Sequence, residues 1–285
     1  MSPPEAAAAS GHSHAGTLGA SLDAARRDLA RLDADVLTAH ALGCSRDTLY
    51  AFPERPVSAG QGRRLAAFVR RRARGEPLAY IVGRREFWSL ALRVDPRVLI
   101  PRPETECLVE AALARIGDAA TVLDLGTGSG AIALAVAASR PNARVVGVDR
   151  DTGCIDVARE NAARLGLTAV FRQSDWFSAC GRHERFDVVV ANPPYVADGD
   201  PHLAGDGLRF EPRDALVAGA DGLAALRDIV PAAPDHLARG GWLYVEHGHD
   251  QHAAVRELFH AHGFGDVETT PDLAGIPRVT CGRAP

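Results

Sequence analysis

One block, "LDLGTGSGAIALAVAAS" from Leu123 to Ser139, constrains the fold of this chain more than any other stretch. An apolar strand meets three alternating glycines, Gly126, Gly128 and Gly130, and passes directly into an apolar helix. Glycines at that spacing let a backbone turn sharply and let a ligand approach the main chain. The following text keeps alternating. "ARVVGVD" reads as a strand and "GCIDVARENAARLG" as a helix, and "AVFRQSD", "FDVVVANPP" and "GGWLYVEHG" read as further strands. Continuous apolar strands separated by helices predict an α/β fold with a doubly wound, mostly parallel sheet. The end breaks the rhythm: "DVETTPD" and "PRVTCGR" face each other across a turn, which predicts an antiparallel C-terminal hairpin on the sheet edge.

Upstream of the sheet the period is helical. Apolar residues at Leu18, Leu22, Ala25, Leu29, Leu32 and Val36 mark an amphipathic helix, with a restart at Asp33 and a stop at Gly43. Ser58 and Gln61 have capping-box spacing ahead of a helix that Gly75 ends. Residues 17–85 therefore predict a small N-terminal helical, partner-binding domain. Residues 1–16 read as a disordered tail, whose His12 and His14 are solvated rather than metal-bound. Residues 86–100 alternate around Trp88, Leu90, Leu92 and Val94 and read as a β-hairpin linker turning at Asp95-Pro96. "PRPETE" opens a helix with proline in its first turn, so the sheet domain spans 101–285.

Composition narrows the chemistry. Every one of the 32 basic residues is arginine, which excludes a Schiff-base lysine, a lysine base and a P-loop lysine. The net charge of -4 argues against bulk polyanion binding, so no direct nucleic-acid contact is required. Five scattered cysteines without a C-x-x-C pair predict a reducing, cytoplasmic setting and no zinc knuckle. No apolar run is long enough to cross a membrane, and the N-terminus lacks the pattern of a signal peptide. An arginine run (Arg63, Arg64, Arg70, Arg71, Arg72, Arg74) reads either as a solvated helix face or as a docking patch.

Asp149 ends the second strand of the sheet, where a carboxylate can accept both hydroxyls of a ribose. The glycine loop also fits G-x-G-x-x-A through Gly126, Gly128 and Ala131, which leaves NAD open. Three features favour S-adenosylmethionine instead. Asp124 sets an acid beside the glycines, where a cationic amino acid could rest. Trp176 in "SDWF" could cover an adenine face. The strand "VVVA" ends in Asn192-Pro193-Pro194-Tyr195. There Asn192 offers an amide oxygen, the two prolines hold a main-chain carbonyl as a second acceptor, and Tyr195 offers a flat wall. Two fixed acceptors suit a planar NH2 group, and they raise the electron density of a nitrogen whose lone pair is delocalised. The corner therefore predicts methylation of a planar NH2, on an amide or on adenine.

"REFWSLAL", "LIPRPETECLVE", "LDLGTGSGAIAL", "QSDWF", "NPPYV" and "RFEPRDAL" together resemble the PrmC/HemK methyltransferases from about Asp33 onward. The resemblance implies a class I SAM-dependent methyltransferase fold with a seven-stranded sheet. It implies methylation of N5 of the glutamine in the Gly-Gly-Gln motif of class I peptide chain release factors. It implies cofactor binding by Gly126, Thr127, Gly128, Ser129, Gly130, Asp149, Trp176 and Asn192. Asn192 would be catalytic, Asn192, Pro193, Pro194 and Tyr195 would hold the glutamine, and no metal would take part. The expected species is a cytoplasmic monomer. Three rivals stand beside it: an adenine-amino methyltransferase acting on nucleic acid, an NAD-dependent oxidoreductase, and a non-enzymatic module that keeps the fold. Three other groups also draw notice. His247, His249 and His252 read mainly as strand and loop residues, Arg102 and Glu104 as a helix cap or a pocket border, and Arg209, Phe210 and Glu211 as a groove lining.

Overall fold

A computed structural model describes residues 14–205 and 207–285, and it divides into two compact units, residues 1–82 and 83–285. Residues 1–13, with most of the proposed tail and His12, lie outside the described residues. The tail reading needs correction at its end. His14–Thr17 forms a strand (β1) that pairs antiparallel with β2, Pro56–Ser58. Main-chain pairing needs no apolar side chains, so a polar segment can still be held.

The first unit is helical, as expected. The helices are α1 (Leu18–Asp28), α2 (Arg31–Leu42), α3 (Arg46–Ala51), α4 (Ala59–Ala73) and α5 (Leu78–Val82). The single long period from Leu18 breaks at Leu29-Ala30, slightly before the expected restart at Asp33. Gly43 stops α2 in the left-handed region at φ 69°. The capping box of α4 is complete: Ser58 Oγ accepts from Gln61 N and Gln61 Oε1 accepts from Ser58 N. Within the arginine run, Arg71 pairs with Glu76 and Arg72 with Asp33, so two of the six serve this unit's own packing.

The second unit opens with a hairpin, β3 (Arg84–Phe87) and β4 (Leu90–Arg93). Its two-residue turn is Trp88-Ser89, not Asp95-Pro96, and both residues have positive φ (52° and 59°). Positive φ at both central positions is the geometry that matches strand twist in a tight hairpin. The hairpin is also not a linker. Phe87 and Leu92 lie in the same buried cluster as Leu108, Val122 and Leu134, and Trp88 Nε1 donates to Ser139 Oγ.

A 3-10 turn at Pro103–Thr105 leads into α6 (Glu106–Leu113). The sheet elements follow: β5 (Thr121–Leu125), α7 (Ala131–Ser139), β6 (Arg144–Asp149), α8 (Thr152–Leu165), β7 (Val170–Gln173) and β8 (Phe186–Ala191). After them come α9 (Ala224–Ala232), β9 (Leu237–Glu246), α10 (His252–Ala261), β10 (Gly265–Pro271) and β11 (Pro277–Arg283). Among the described residues the strands form one seven-stranded sheet in the order β10-β11-β9-β8-β5-β6-β7. Strands β5 to β9 pair in parallel, while β11 is antiparallel to both β9 and β10. The C-terminal hairpin thus lies at the edge as expected, with its second strand tucked inside the first. Apolar clusters cover both faces, which is why β5, β6 and β8 read as unbroken apolar runs. Strand β5 is flanked by β6 and β8, so the order reverses there. The crevice at the carboxyl ends of these three strands is where such a sheet binds ligands.

Candidate active site

A cavity of about 410 Å³ opens at that crevice. Its walls include Gly126 and Gly128 after β5, Asp149 at the end of β6, Trp176 after β7, and Asn192 and Pro194 after β8. Four strand ends thus deliver to one hollow the residues that the sequence had singled out separately.

The glycine loop is built by its neighbours. Thr127 Oγ1 donates to Asp124 Oδ2 at 2.6 Å, and Ala133 N donates to the same oxygen at 3.1 Å. Asp124 has no exposed surface, and burial pushes its carboxyl up to about 7. The expectation that Asp124 receives a cationic ligand group is therefore corrected: it clamps the loop to the start of α7 from beneath. Thr127 and Ser129 are likewise buried and absent from the cavity wall. Gly130 also turns away from it, because a Cβ there would press on Ala158, Leu134 and Phe171 at 3.2–3.3 Å. Gly126 and Gly128 remain at the wall.

Asp149 accepts from Gly128 N through Oδ2 and from Asp151 N through Oδ1, both at 3.0 Å. Burial raises its pKa, with the two backbone donors opposing the shift. The Cys154 thiol also lies against this carboxylate, and the lone pairs that remain are what a vicinal diol needs. Trp176 is held at φ 43°, a left-handed conformation unusual for a bulky residue. Its ring lies beside Gly126, where a Cβ would come within 3.6 Å of Cζ3. A flat face therefore borders the glycine loop.

Asn192 stands opposite. Its Nδ2 donates to Thr105 Oγ1 at 3.0 Å. Thr105 is buried in the turn that opens α6. With the NH2 end so held, the amide's Oδ1 is left for the cavity. Tyr195 does not line the cavity; its hydroxyl donates to Glu246 Oε1 at 3.2 Å, and burial raises its pKa. Pro193 is buried behind Pro194. Gln251 Nε2 donates to the Tyr195 carbonyl at 3.0 Å and fixes the far side of the corner.

Thr105, Glu246 and Gln251 were not singled out in the sequence. "PRPET" pointed near Thr105, but to Arg102 and Glu104. Arg102 pairs instead with the buried Glu211 at 2.6 Å, and Glu211 also accepts from Ile100 N at 3.0 Å. That pair ties "PRPE" to "RFEP", and neither residue lines the cavity. Arg209 and Phe210 stack on each other, with 5.1 Å from guanidinium carbon to ring centre. His247 is buried between Thr280 Oγ1 and the Gly248 carbonyl, each at 2.9 Å, as a structural histidine.

The comparisons with known proteins now bear on this geometry. Residues 18–83 match the PrmC N-terminal domain family and residues 103–205 the methyltransferase small domain family. A release factor glutamine methyltransferase of Xylella fastidiosa is 50% identical over 93% of this chain and 97% of its own length. Proteins of the same description from Burkholderia pseudomallei and Pseudomonas aeruginosa are each 53% identical over 89% of this chain and 92% of theirs. Among solved structures, a Thermus thermophilus 16S rRNA methyltransferase in complex with AdoMet and guanosine is similar with a TM-score of 0.54. It is 23% identical and covers 71% of this chain and 50% of that one. A methyltransferase from Pyrococcus furiosus gives a TM-score of 0.52 at 20% identity, over 68% and 88%. These two likenesses establish the class I methyltransferase fold.

Proposed function

This chain belongs to the release factor glutamine methyltransferase family, and on that premise we propose the reaction it performs and the residues that perform it. It is a SAM-dependent methyltransferase, and the substrate we assign to it is the glutamine of the Gly-Gly-Gln motif in class I peptide chain release factors. The observation that carries the reading is the pinned amide of Asn192. Thr105 takes one of its N–H groups and leaves Oδ1 as an oriented acceptor at the cavity.

The residues present fit the cofactor. Asp149 keeps lone pairs for a ribose diol, Trp176 offers its ring face to adenine, and Gly126 and Gly128 admit close approach. When bound, S-adenosylmethionine supplies an electrophilic sulfonium methyl group and leaves as a neutral thioether. Everything else falls to the protein. Asn192 Oδ1 accepts one N–H of the substrate amide, and a main-chain carbonyl of the Pro193-Pro194 corner accepts the other. Holding both protons raises the density of the nitrogen lone pair and aims it at the methyl. With the cofactor bound, a carbon–nitrogen bond would form as its carbon–sulfur bond breaks, and the amide nitrogen would give one proton to solvent. A neutral leaving group places no demand for a metal or a strong base on the site.

Tyr195, absent from the cavity wall and bonded through its hydroxyl to Glu246, supports the corner in this reading. The first unit, residues 1–82, would supply the release-factor contact, and the enzyme would work as a cytoplasmic monomer. No helix among the described residues is long and apolar enough to cross a membrane. The test is incubation with S-adenosylmethionine and a release factor, followed by peptide mass spectrometry. The Gly-Gly-Gln peptide should gain one methyl on glutamine. Methyl label entering DNA alone would instead identify an adenine-amino methyltransferase.

A further inference from the structure

The C-terminal hairpin carries a feature that the methylation site does not use. Its register sets the turn between β10 and β11 at the rim where the cavity opens. Ala191 in β8 lies level with Val245 in β9, and Glu246 in β9 lies level with Val279 in β11. Strand β11 runs antiparallel to β9, so its first residue, Pro277, lies beyond Glu246 at the carboxyl end of the parallel strands. The turn at 272–276 therefore rises from the same rim as Asn192. With strands about 4.8 Å apart, β11 lies roughly 10 Å to the side of β8. Pro277 stands about 7 Å past the level of Val279, and the turn lies farther out still.

The turn is held by its own polar groups. Asp272 N donates to the Ile276 carbonyl at 2.8 Å, and Gly275 N donates to the Asp272 carbonyl at 2.9 Å. The buried Asp272 carboxylate accepts from Ala274 N at 2.9 Å and Ile276 N at 3.0 Å through Oδ1, and from Arg278 Nε at 3.0 Å through Oδ2. Gly275, at φ 78°, supplies the left-handed residue that closes the turn. What this fixed turn holds out is apolar: Leu273 is fully exposed and Ile276 is more than a third exposed. Among the described residues of the second unit, the other large exposed apolar side chain is Val170, at the start of β7 on the opposite edge of the sheet. The apolar pair is thus confined to the rim beside Asn192.

We infer that Leu273 and Ile276 dock the release factor itself, against an apolar surface beside its Gly-Gly-Gln loop. The inference rests on the substrate reading given above. The groups that fit the cofactor stand at the ends of β5, β6 and β7. Transfer in line requires the amide nitrogen to meet the methyl from the side away from sulfur. Strands β9 and β11 border β8 on the side away from those groups. A glutamine presented to Asn192 from there brings its protein across this rim, and the raised turn stands in its path. A turn already fixed by its own hydrogen bonds loses little freedom on binding, so its apolar contact converts efficiently into affinity. The contact is made to the body of the substrate and not to the reacting amide, so it governs capture rather than methyl transfer.

Kinetics on the full-length enzyme and release factor test this. Leu273→Asp should raise KM for the release factor by ~10-fold or more, with kcat changed less than ~2-fold. Its S-adenosylhomocysteine affinity and Tm should match those of the wild type, because a fully exposed side chain supports neither. Leu273→Met should recover most of the wild-type KM. A KM in Leu273→Asp within ~2-fold of the wild type overturns the inference and leaves the methylation reading intact. A fall in kcat at unchanged KM overturns it as well. So does a wild-type dimer in ultracentrifugation that Leu273→Asp dissociates at unchanged KM, since the turn would then join two copies of this chain. Calorimetric binding of release factor in the presence of S-adenosylhomocysteine separates the inference from the reading beneath it. Binding weakened ~10-fold or more by Leu273→Asp supports the docking contact even where the wild type transfers no methyl group to that protein. A wild type that neither binds nor methylates the release factor overturns both.

Discussion

At the scale of single residues, the site divides into groups that face the cavity and groups that hold those. Asn192 belongs to the first kind. Asn192→Ala removes the acceptor but keeps the glycine loop, Asp149 and Trp176 in place. Turnover should drop by at least ~10²-fold, in line with the loss of one oriented transition-state contact. S-adenosylhomocysteine affinity measured by calorimetry should stay close to that of the wild type. Asp149 has two tasks, since it also accepts from Gly128 N and Asp151 N. Asp149→Ala should therefore weaken S-adenosylhomocysteine binding by ~10-fold or more, through the lost diol contact and a loosened loop together. Calorimetry on that variant checks it, and an unchanged affinity would remove Asp149 from the cofactor contacts. Asn192 could be read from the sequence because an amide followed by two prolines is an odd way to end a buried strand. Thr105 could not, because its partner Asn192 lies 87 residues away. Glu246 meets Tyr195 across 51 residues and Gln251 reaches it across 56. Their roles exist only once α6, β8 and β9 are side by side. Asp124 is the opposite case: it adjoins the glycine loop in sequence, yet it is buried beneath that loop and bonded to Thr127.

At the scale of elements, strands were legible wherever burial on both faces made them continuously apolar, as in β5, β6 and β8. Turns were less so. The Trp88-Ser89 turn carries no Asn-Gly or Asp-Gly signal, because Trp88 is kept for its indole bond to Ser139 Oγ rather than for turn propensity. The cost sits on Ser89, which is exposed and held at φ 59°. Ser89→Gly should relieve that strain and, after glycine's own entropy cost, stabilise the fold by ~0.5–1 kcal/mol, seen as a higher Tm by calorimetry. The loop that cradles the NPPY corner sets the reverse case. At Gly222 (φ 75°) a Cβ would collide with the Tyr195 carbonyl and lie 2.6 Å from Gln251 Nε2. Gly222→Ala must break the Gln251–Tyr195 bond or shift the corner. Its kcat should fall by ~10-fold or more while the cofactor, bound on the far side by Asp149 and Trp176, keeps its affinity. Steady-state kinetics paired with calorimetry separates the two effects.

At the scale of the whole molecule, fold class was legible because the alternation of strand and helix is a property of long segments, which local errors in turns do not disturb. The pH dependence of stability is a property of the same scale, but it depends on which acids the fold buries. Exposed arginine–carboxylate pairs such as Arg150–Asp214 and Arg213–Asp198 contribute little and are screened by salt. Asp124 and Glu246 weigh more. Both are raised to about 7 by burial, above the ordinary carboxylate range that they recover on unfolding. Between about pH 4 and 7 the unfolded chain has released these protons and the folded chain retains them. Stability is therefore full below the unfolded pKa and is lost as pH rises through about 7, by at most roughly 1.4 kcal/mol per pH unit for each group. Two histidines, His236 and His247, are lowered by burial and work the other way, losing stability as pH falls below their ordinary value. Glu184, drawn down to about 2 first by its hydrogen bond to Arg172, sets a separate loss at strongly acid pH. The clean measurement is consequently a difference between proteins rather than a single curve. Asp124→Asn and Glu246→Gln should each gain in Tm relative to the wild type as pH is raised from 5 to 8. The two gains should add, since the groups share no hydrogen-bond partner. A Tm difference that stays constant across that range would mean that both acids are ionised in the folded protein throughout. The loop clamp would then rest on a permanently charged Asp124.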